Sequence, residues 1–267
     1  MLLMAPEAAD IACSLADEVG PRLAGSEGDA AAVKWAVEKM TALGLSNVHA
    51  EKVTVPRWER GEASAELTAP VKRRLALAAL GGSVATPEGG LSAEVVSVPS
   101  LEALKGLSPE RVKGRIVFID QVMERSQSGR GYGTTVSIRG SGAAEAAKKG
   151  AVAALIRSVG TGDARLPHTG AMRYQEGVEK IPAAALAIPD AELLRRTLAR
   201  GAKVTLKVLL TPRTLPDAES ANVVGEVPGT AKPDEVVLLG AHLDAWDLGD
   251  GALDDAAGEG IVLDAAA

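Results

Sequence analysis

The sequence predicts an α/β protein in which a small α/β module interrupts a larger domain, and three observations carry that expectation. From Leu91 onward, short apolar runs alternate with short helical stretches that stop at glycine. Before Leu91 the apolar residues follow first a helical and then an alternating spacing. Beyond residue 205, the apolar run 236–239 (Val-Val-Leu-Leu) leads straight into a polar, glycine-containing loop and then a small-residue helix. The changes of texture place boundaries at 1–90, 91–205 and 206–267.

Residues 8–19 carry Ile11, Leu15 and Val19 at helical spacing and stop at Gly20-Pro21. Ser26 followed by Asp29 matches a capping box, and Val33, Val37, Met40 and Leu43 form an apolar stripe that ends at Gly44. Residues 48–55 alternate as an exposed strand does, which turns His49 toward solvent. A second strand ends near Pro70, and 75–80 is a third apolar run. The glycine-rich stretch 81–90 lacks the Gly-Lys-Ser/Thr ending of a phosphate loop and reads as a connection.

Within the module, strands are expected at 93–98, 115–119, 152–156 and 183–188, and helices at 141–149 and 189–200. Gly150 and Gly201 supply the two helix stops. Residues 203–210 are either a closing strand or the link back, and 126–135 is a glycine-rich surface loop. Residues 221–227 are expected to hairpin through Pro228-Gly229 into 236–239, which reads as a buried central strand.

Composition narrows the function classes. With 46% hydrophobic and 24% charged residues the chain suits a soluble globular protein of one large or two small domains. A net charge of -6, with no basic run interleaved with aromatics, argues against nucleic acid as a partner. Aromatic residues make up only 2%, so the core has to be built from Ala, Val and Leu. The single Cys13 excludes an intrachain disulfide and a cysteine-based zinc cluster, and it reads as a small buried helix residue. Residues 1–4 are apolar, but Pro6, Glu7 and Asp10 follow at once, so the start does not read as a signal peptide. No uncharged apolar stretch approaches roughly 20 residues, and no membrane partner is expected.

The chemistry concentrates after residue 239. His242 and Asp244 stand two apart, so on an extended backbone both face one way, with the imidazole free to bind a metal and the carboxylate placed to orient it. Asp254-Asp255 then opens a helix, whose N-terminus favours negative charge. A lone His-x-Asp is commonly just a hydrogen-bonded pair. The specific signal is the whole order: apolar run, Gly240-Ala-His-Leu-Asp244, Trp246-Asp247, a glycine loop, Gly251-Ala-Leu-Asp-Asp255 and Gly258.

In that order the stretch resembles the co-catalytic di-zinc exopeptidases, the superfamily of bacterial aminopeptidases and glutamate carboxypeptidases, and most closely the carboxypeptidase Q-like branch. The resemblance implies a three-layer α/β zinc-exopeptidase core, incomplete in this chain, with 91–205 as an inserted protease-associated domain. It implies two zinc ions, with His242 a ligand of one, Asp254 bridging both, and Asp244 the catalytic carboxylate that orients the site. Asp254 is preferred to Asp255 by register, four before Gly258. Ala245 stands where the family usually has serine and Ala256 where it usually has glycine, and neither position supplies a ligand. Asp255 is then expected off the ligand direction, and Glu259, about 140° around a helix from Asp254, is expected in solvent.

Two further segments carry weaker likeness. The turn 20–26 (Gly-Pro-Arg-Leu-Ala-Gly-Ser) resembles the family's opening motif and reads equally well as a helix connector. The loop 167–174 resembles a segment that faces the catalytic cleft, which makes His168, Arg173 and Tyr174 candidate substrate-binding residues, with an ordinary polar loop as the alternative.

The implied activity is hydrolysis of a peptide or dipeptide by a metal-activated water, as an aminopeptidase, carboxypeptidase or dipeptidase. The family's Glu-Glu pair and its later Asp and His are not found before Ala267, so the chain by itself is expected to bind zinc weakly and to lack turnover. The competing reading is a catalytically inactive fragment or interaction module that retains the protease-associated domain. Serine hydrolysis ranks lower, because no Gly-x-Ser-x-Gly elbow is present. A homodimer is kept in view as a partner, and the resemblance implies an extracytoplasmic location.

Overall fold

The computed structural model describes residues 6–232 and 234–267, so the reading of residues 1–4 lies outside the described residues. In chain order the first elements are α1 (Pro6–Ser14), α2 (Glu27–Ala42), β1 (Ser46–Glu59), β2 (Ala63–Ala69), β3 (Arg73–Leu75), β4 (Leu77–Ala79) and β5 (Leu91–Val98). There follow α3 (Leu101–Gly106), α4 (Pro109–Val112), β6 (Ile116–Ile119), α5 (Arg130–Thr135), α6 (Ser137–Ala147), β7 (Ala153–Arg157) and β8 (Ala183–Leu186). The chain ends with α7 (Ile188–Ala199), β9 (Thr205–Leu210), β10 (Arg213–Glu226) and α8 (Ala257–Ala266). Two compact units form, one from Met1–Arg57 with Leu215–Ala267 and the other from Trp58–Thr214. Among the described residues no helix is long and apolar enough to cross a membrane.

The first unit is three helices and a ribbon. α1 runs on through a π turn, Leu15–Val19, and stops at Gly20 with φ +73°. Ser26 caps α2 by accepting the Asp29 N–H at 3.2 Å, while the Asp29 carboxylate accepts the Gly25 N–H at 2.9 Å, one residue before the donor of a reciprocal capping box. The buried face of α2 is Ala32, Trp35 and Ala36, offset from the expected stripe, and Val33 and Val37 are only half-buried. Trp35 decides the rotation: its large ring goes inward and its indole N–H donates to Ser14 Oγ at 3.0 Å. α1 turns Ile11, Ala12 and Leu15 into the same cluster, which leaves Cys13 exposed rather than buried as expected. α8 closes the cluster with Leu263 and lies so near α1 that a Cβ on Gly260 would overlap the Ala8 carbonyl. Among the described residues β1 pairs only with β10, as a two-stranded ribbon.

The second unit is organised on an eight-stranded sheet in the order β3-β2-β9-β5-β6-β7-β8-β4. β5, β6, β7 and β8 are parallel, and antiparallel pairs flank them through β9 on one side and β4 on the other. The apolar runs are continuous because both faces are covered. Ile116, Phe118, Ala153, Leu155, Ala184 and Leu186 pack with Leu194 of α7 on one face. Val117, Ile119, Ala154, Ile156, Ala183 and Ala185 pack with Leu104 of α3 and Ile138 of α6 on the other. The strict alternation of neighbours between the two clusters is the period of two that a strand imposes.

Four expectations need correction. The unit begins at Trp58 and ends at Thr214, wider than 91–205, because β2, β3 and β4 belong to the same sheet. The loop 126–135 contains the short helix α5. Residues 236–239 are extended but form no ladder, with Val236, Val237 and Leu238 86–89% exposed, so they are not a buried strand among the described residues. The expected hairpin into that run is also absent, since β10 takes β1 as its partner. An apolar run reads as a central strand only if strands flank it, and periodicity alone does not supply the neighbours. The strand layer expected around the 242–254 motif is accordingly not formed by the described residues, and the layered architecture belongs to the second unit.

Phe118, the only phenylalanine of the chain, is fully buried in the sheet's first cluster. Phe118→Ala is expected to destabilise the second unit by about 3–5 kcal/mol, read as a lowered urea midpoint with an unchanged m-value.

Candidate metal centre

Residues 240–256 build the site as a loop that doubles back on itself. The chain leaves the exposed run 236–239, passes His242 and Asp244, turns through Gly251 at φ +58° and enters a π turn, Ala252–Ala256, before α8. A Cβ on Gly251 would overlap that of Ala245 and stand 2.8 Å from Arg22 Nη2, so the turn accepts only glycine on both steric and backbone grounds.

The three expected site residues converge. His242 Nε2 lies 2.8 Å from Asp254 Oδ1, and its Nδ1 faces Asp244, 3.0 Å from the carbonyl and 3.3 Å from Oδ1. Asp255 turns the other way: its carboxylate accepts the main-chain N–H groups of His242 and Gly258, each at 3.2 Å. A side chain at Gly258 would overlap that carboxylate, so the glycine leaves Asp255 room to cap the start of α8. Burial lowers the His242 pKa, but the hydrogen bonds to Asp254 and to the Asp244 carbonyl, with the charges of Asp244 and Asp255, outweigh it and raise the pKa overall.

The donor set suits a metal ion. Two ligands of one tetrahedral zinc stand about 3.3 Å apart, given metal–ligand distances near 2.0–2.1 Å. The separation of 2.8 Å between Nε2 and Asp254 Oδ1 is close to that, and both groups are exposed on the same side. Nδ1 facing Asp244 leaves Nε2 as the coordinating nitrogen, the usual arrangement of a carboxylate-supported histidine ligand. Among the described residues no cluster of three or more His, Cys, Asp or Glu side chains is placed to hold a metal, so this pair is a partial shell.

Two residues of the site escaped the sequence reading. Arg22, from the turn that read equally as the family's opening motif and as a helix connector, is 0% exposed beneath the loop. Its Nε donates to Leu243 O at 2.7 Å, Nη1 to Asp250 O at 2.5 Å and Gly20 O at 3.0 Å, and Nη2 to Gly251 O at 3.0 Å. Its own carbonyl accepts the Ala245 N–H at 3.0 Å. Burial lowers the Arg22 pKa, and the charges of Asp244, Glu259, Asp250 and Asp255 oppose that shift.

Glu259 is 7% exposed, not in solvent as expected. The helical angle from Asp254 misplaced it because Asp254 (φ -128°, ψ 85°) and Asp255 (φ -133°, ψ 31°) are not helical, so the angle has to be counted from Ala257. Burial, reinforced by Asp255, raises its pKa to about 7, with His242 and Arg22 pulling the other way.

The segment 167–174 lies in the second unit, and its three candidate residues are used differently. Tyr174 OH donates to Ile181 O at 2.7 Å and accepts the Val84 N–H at 2.9 Å, which makes it a strut of that unit. His168 is exposed at the surface, its main-chain N–H bound to Ser158 Oγ at 2.8 Å and its ring edge-on to Tyr132. Its pKa is lowered by burial and then by Arg139. Arg173 is exposed and, with Arg139, Ser137 and Tyr174, borders a concavity of about 600 Å³ that His168 does not line.

Known proteins resemble this chain over nearly all its length. Residues 222–267 match the profile of peptidase family M28. Carboxypeptidase Q of Mus musculus is 43% identical over 251 residues, covering 94% of this chain and 52% of that protein. Carboxypeptidase Q of Xenopus laevis is 44% identical over 249 residues, covering 93% of this chain and 52% of that protein. The crystal structure of a peptidase M28 precursor from Shewanella amazonensis SB2B superposes with a TM-score of 0.96 at 49% identity, over 98% of this chain and 59% of that one. A zinc aminopeptidase from Bacillus subtilis shares the fold at a TM-score of 0.67 and 22% identity, over 97% of this chain and 56% of that one. The chain spans about half the length of the curated relatives it matches.

A buried acid with a raised pKa binds its proton more tightly folded than unfolded, so its burial destabilises the chain as pH rises from the ordinary glutamate range through about 7. Stability should fall by about 2–3 kcal/mol from pH 5 to pH 8 on this account, and Glu259→Gln should remove most of the slope. Urea midpoints of both proteins across that range provide the measurement.

Proposed function

We propose that this chain, whose residues 222–267 match peptidase family M28, serves in zinc-dependent exopeptidase chemistry, with His242 and Asp254 as metal ligands and Asp244 as the carboxylate that orients the imidazole. The observation that carries the proposal is the convergence of His242 Nε2 on Asp254 Oδ1 while Nδ1 is taken up by Asp244. Identity of 43–44% to Carboxypeptidase Q along almost the whole chain supports the same reading. Zinc in such a site lowers the pKa of its water and polarises the scissile carbonyl. Asp244 would hold the neutral imidazole's proton on Nδ1, which leaves the Nε2 lone pair free and aimed, and Asp254 would bring a negative charge to the site. In this proposal Asp254 would be shared between two ions, and the remaining ligands would come from elsewhere in the functional protein.

The substrate class we infer is a peptide or dipeptide. Within 168–174, Arg173 is the residue suited to a substrate carboxylate, because its side chain is exposed and only its main chain is engaged, through the Gly140 carbonyl. The second unit takes the part of the protease-associated insert in this reading, and its doubly covered α/β sheet supports that assignment. The same relatives motivate an extracytoplasmic location.

Calorimetric titration with zinc at pH 8 tests the metal assignment. His242→Ala and Asp254→Asn should each weaken binding at least tenfold, and the wild-type affinity should fall about tenfold per pH unit once pH drops below the raised His242 pKa, as one proton competes with the ion. A wild-type chain that takes up no zinc, or variants that bind it as well as wild type, would overturn the assignment.

A further inference from the structure

We propose that Arg22 is the positioning residue of the His242–Asp254 site, fixing the loop that carries both ligands by clamping its main chain from beneath. The inference rests on the zinc reading only for what the loop holds. The clamp itself follows from the geometry.

A guanidinium removed from water has to find acceptors for its five N–H groups, and their planar fork fixes where those acceptors stand. Arg22 uses Leu243 O, Asp250 O and Gly251 O on the loop and Gly20 O on its own turn. These loop carbonyls stand on the outgoing arm, at Leu243, and at the turn itself, at Asp250 and Gly251, so one rigid group ties the arm one residue from His242 to the turn three residues before Asp254. The Arg22 carbonyl adds a fourth tie to the loop through the Ala245 N–H. A lysine in this place offers three donors at one point and cannot span the same acceptors.

Charge points the same way. The loop and the start of α8 gather Asp244, Asp250, Asp255 and Glu259 around the guanidinium, whose positive charge acts on all of them. Arg22 therefore holds together a set of carboxylates that would otherwise repel one another, and it does so without occupying Asp254, which remains on the exposed side with His242. The turn that delivers Arg22 is itself fixed. A Cβ on Gly28 would overlap the Pro21 carbonyl, so the first turn of α2 sits directly against the residue before the arginine.

Arg22→Met and Arg22→Lys should both fold, with α2 and the sheet of the second unit exchanging their amides as in wild type. Peptides covering 240–256 should exchange at least tenfold faster in Arg22→Met. Zinc, and cobalt as a spectroscopic probe, should bind Arg22→Met at least tenfold more weakly, with Arg22→Lys intermediate. Unchanged exchange over 240–256 in Arg22→Met would overturn the inference whatever the metal does, as would exchange that accelerates equally in α2, which marks general unfolding. If wild type binds no metal while the loop still loosens selectively, Arg22 stands as the clamp and the zinc reading falls. If wild type and Arg22→Met bind metal equally well, the zinc reading stands and the positioning role falls.

Discussion

The candidate site depends on one buried cation. Charged groups seldom leave water unless partners wait for them, and Arg22 meets that requirement mostly with main-chain carbonyls rather than with a single acid. The choice has a structural result. A carboxylate partner would be satisfied by one contact and leave the loop free to move, whereas carbonyls at 243, 250 and 251 are satisfied only when the loop holds one path. Hydrogen bonds to a charged group contribute about 1.5–3 kcal/mol each when buried, which is large beside what an exposed pair such as His242 and Asp254 contributes by itself. The visible chemistry sits on the surface, and its geometry is set one layer below.

The same layering separates the two kinds of carboxylate around the loop. Asp254 and Asp244 are accessible and face the imidazole. Asp255 is turned back to the backbone, where it caps α8 and holds the His242 amide, and Glu259 is enclosed with a pKa of about 7. Adjacent aspartates thus do opposite work, one standing against the His242 imidazole and one holding the frame, because the backbone between them is not helical. The match of 222–267 to peptidase family M28 covers all of these residues, while Arg22 lies outside the matched segment and reaches it only through the fold.

What the sequence made legible followed from local rules. The strands of the second unit are found within a few residues because both faces of β6, β7 and β8 are apolar and glycines stop the helices between them. His242, Asp244 and Asp254 could be picked out together because their spacing and order are short-range, and the structure brings their side chains to one place. The failures are all cases in which a distant partner decides. Residues 236–239 have the composition of a core strand and no strand beside them among the described residues. The stripe on α2 was displaced by Trp35, whose place depends on Ser14. Glu259 was misplaced because a helical angle was counted through two residues that are not helical. Arg22 was missed because an arginine in a Gly-Pro turn looks solvated. The signal that pointed to it was the pair of glycines, Gly20 and Gly25, that bracket a turn too constrained to be a simple connector.

The closeness of Gly260 on α8 to the Ala8 carbonyl on α1 also sets an order in time. The first unit is made of two stretches separated by the whole of Trp58–Thr214, whereas the second unit is one continuous stretch. During synthesis at about 5–20 residues per second, α1 and α2 emerge and then wait on the order of 10–45 s for the residues that complete their apolar cluster. Over that interval Ile11, Leu15 and Trp35 have only one another for cover, while the interrupting sheet gains its last strand, β9. The Trp58–Thr214 unit is therefore whole before the second stretch of the outer unit emerges, and the loop that Arg22 holds takes its path only after that.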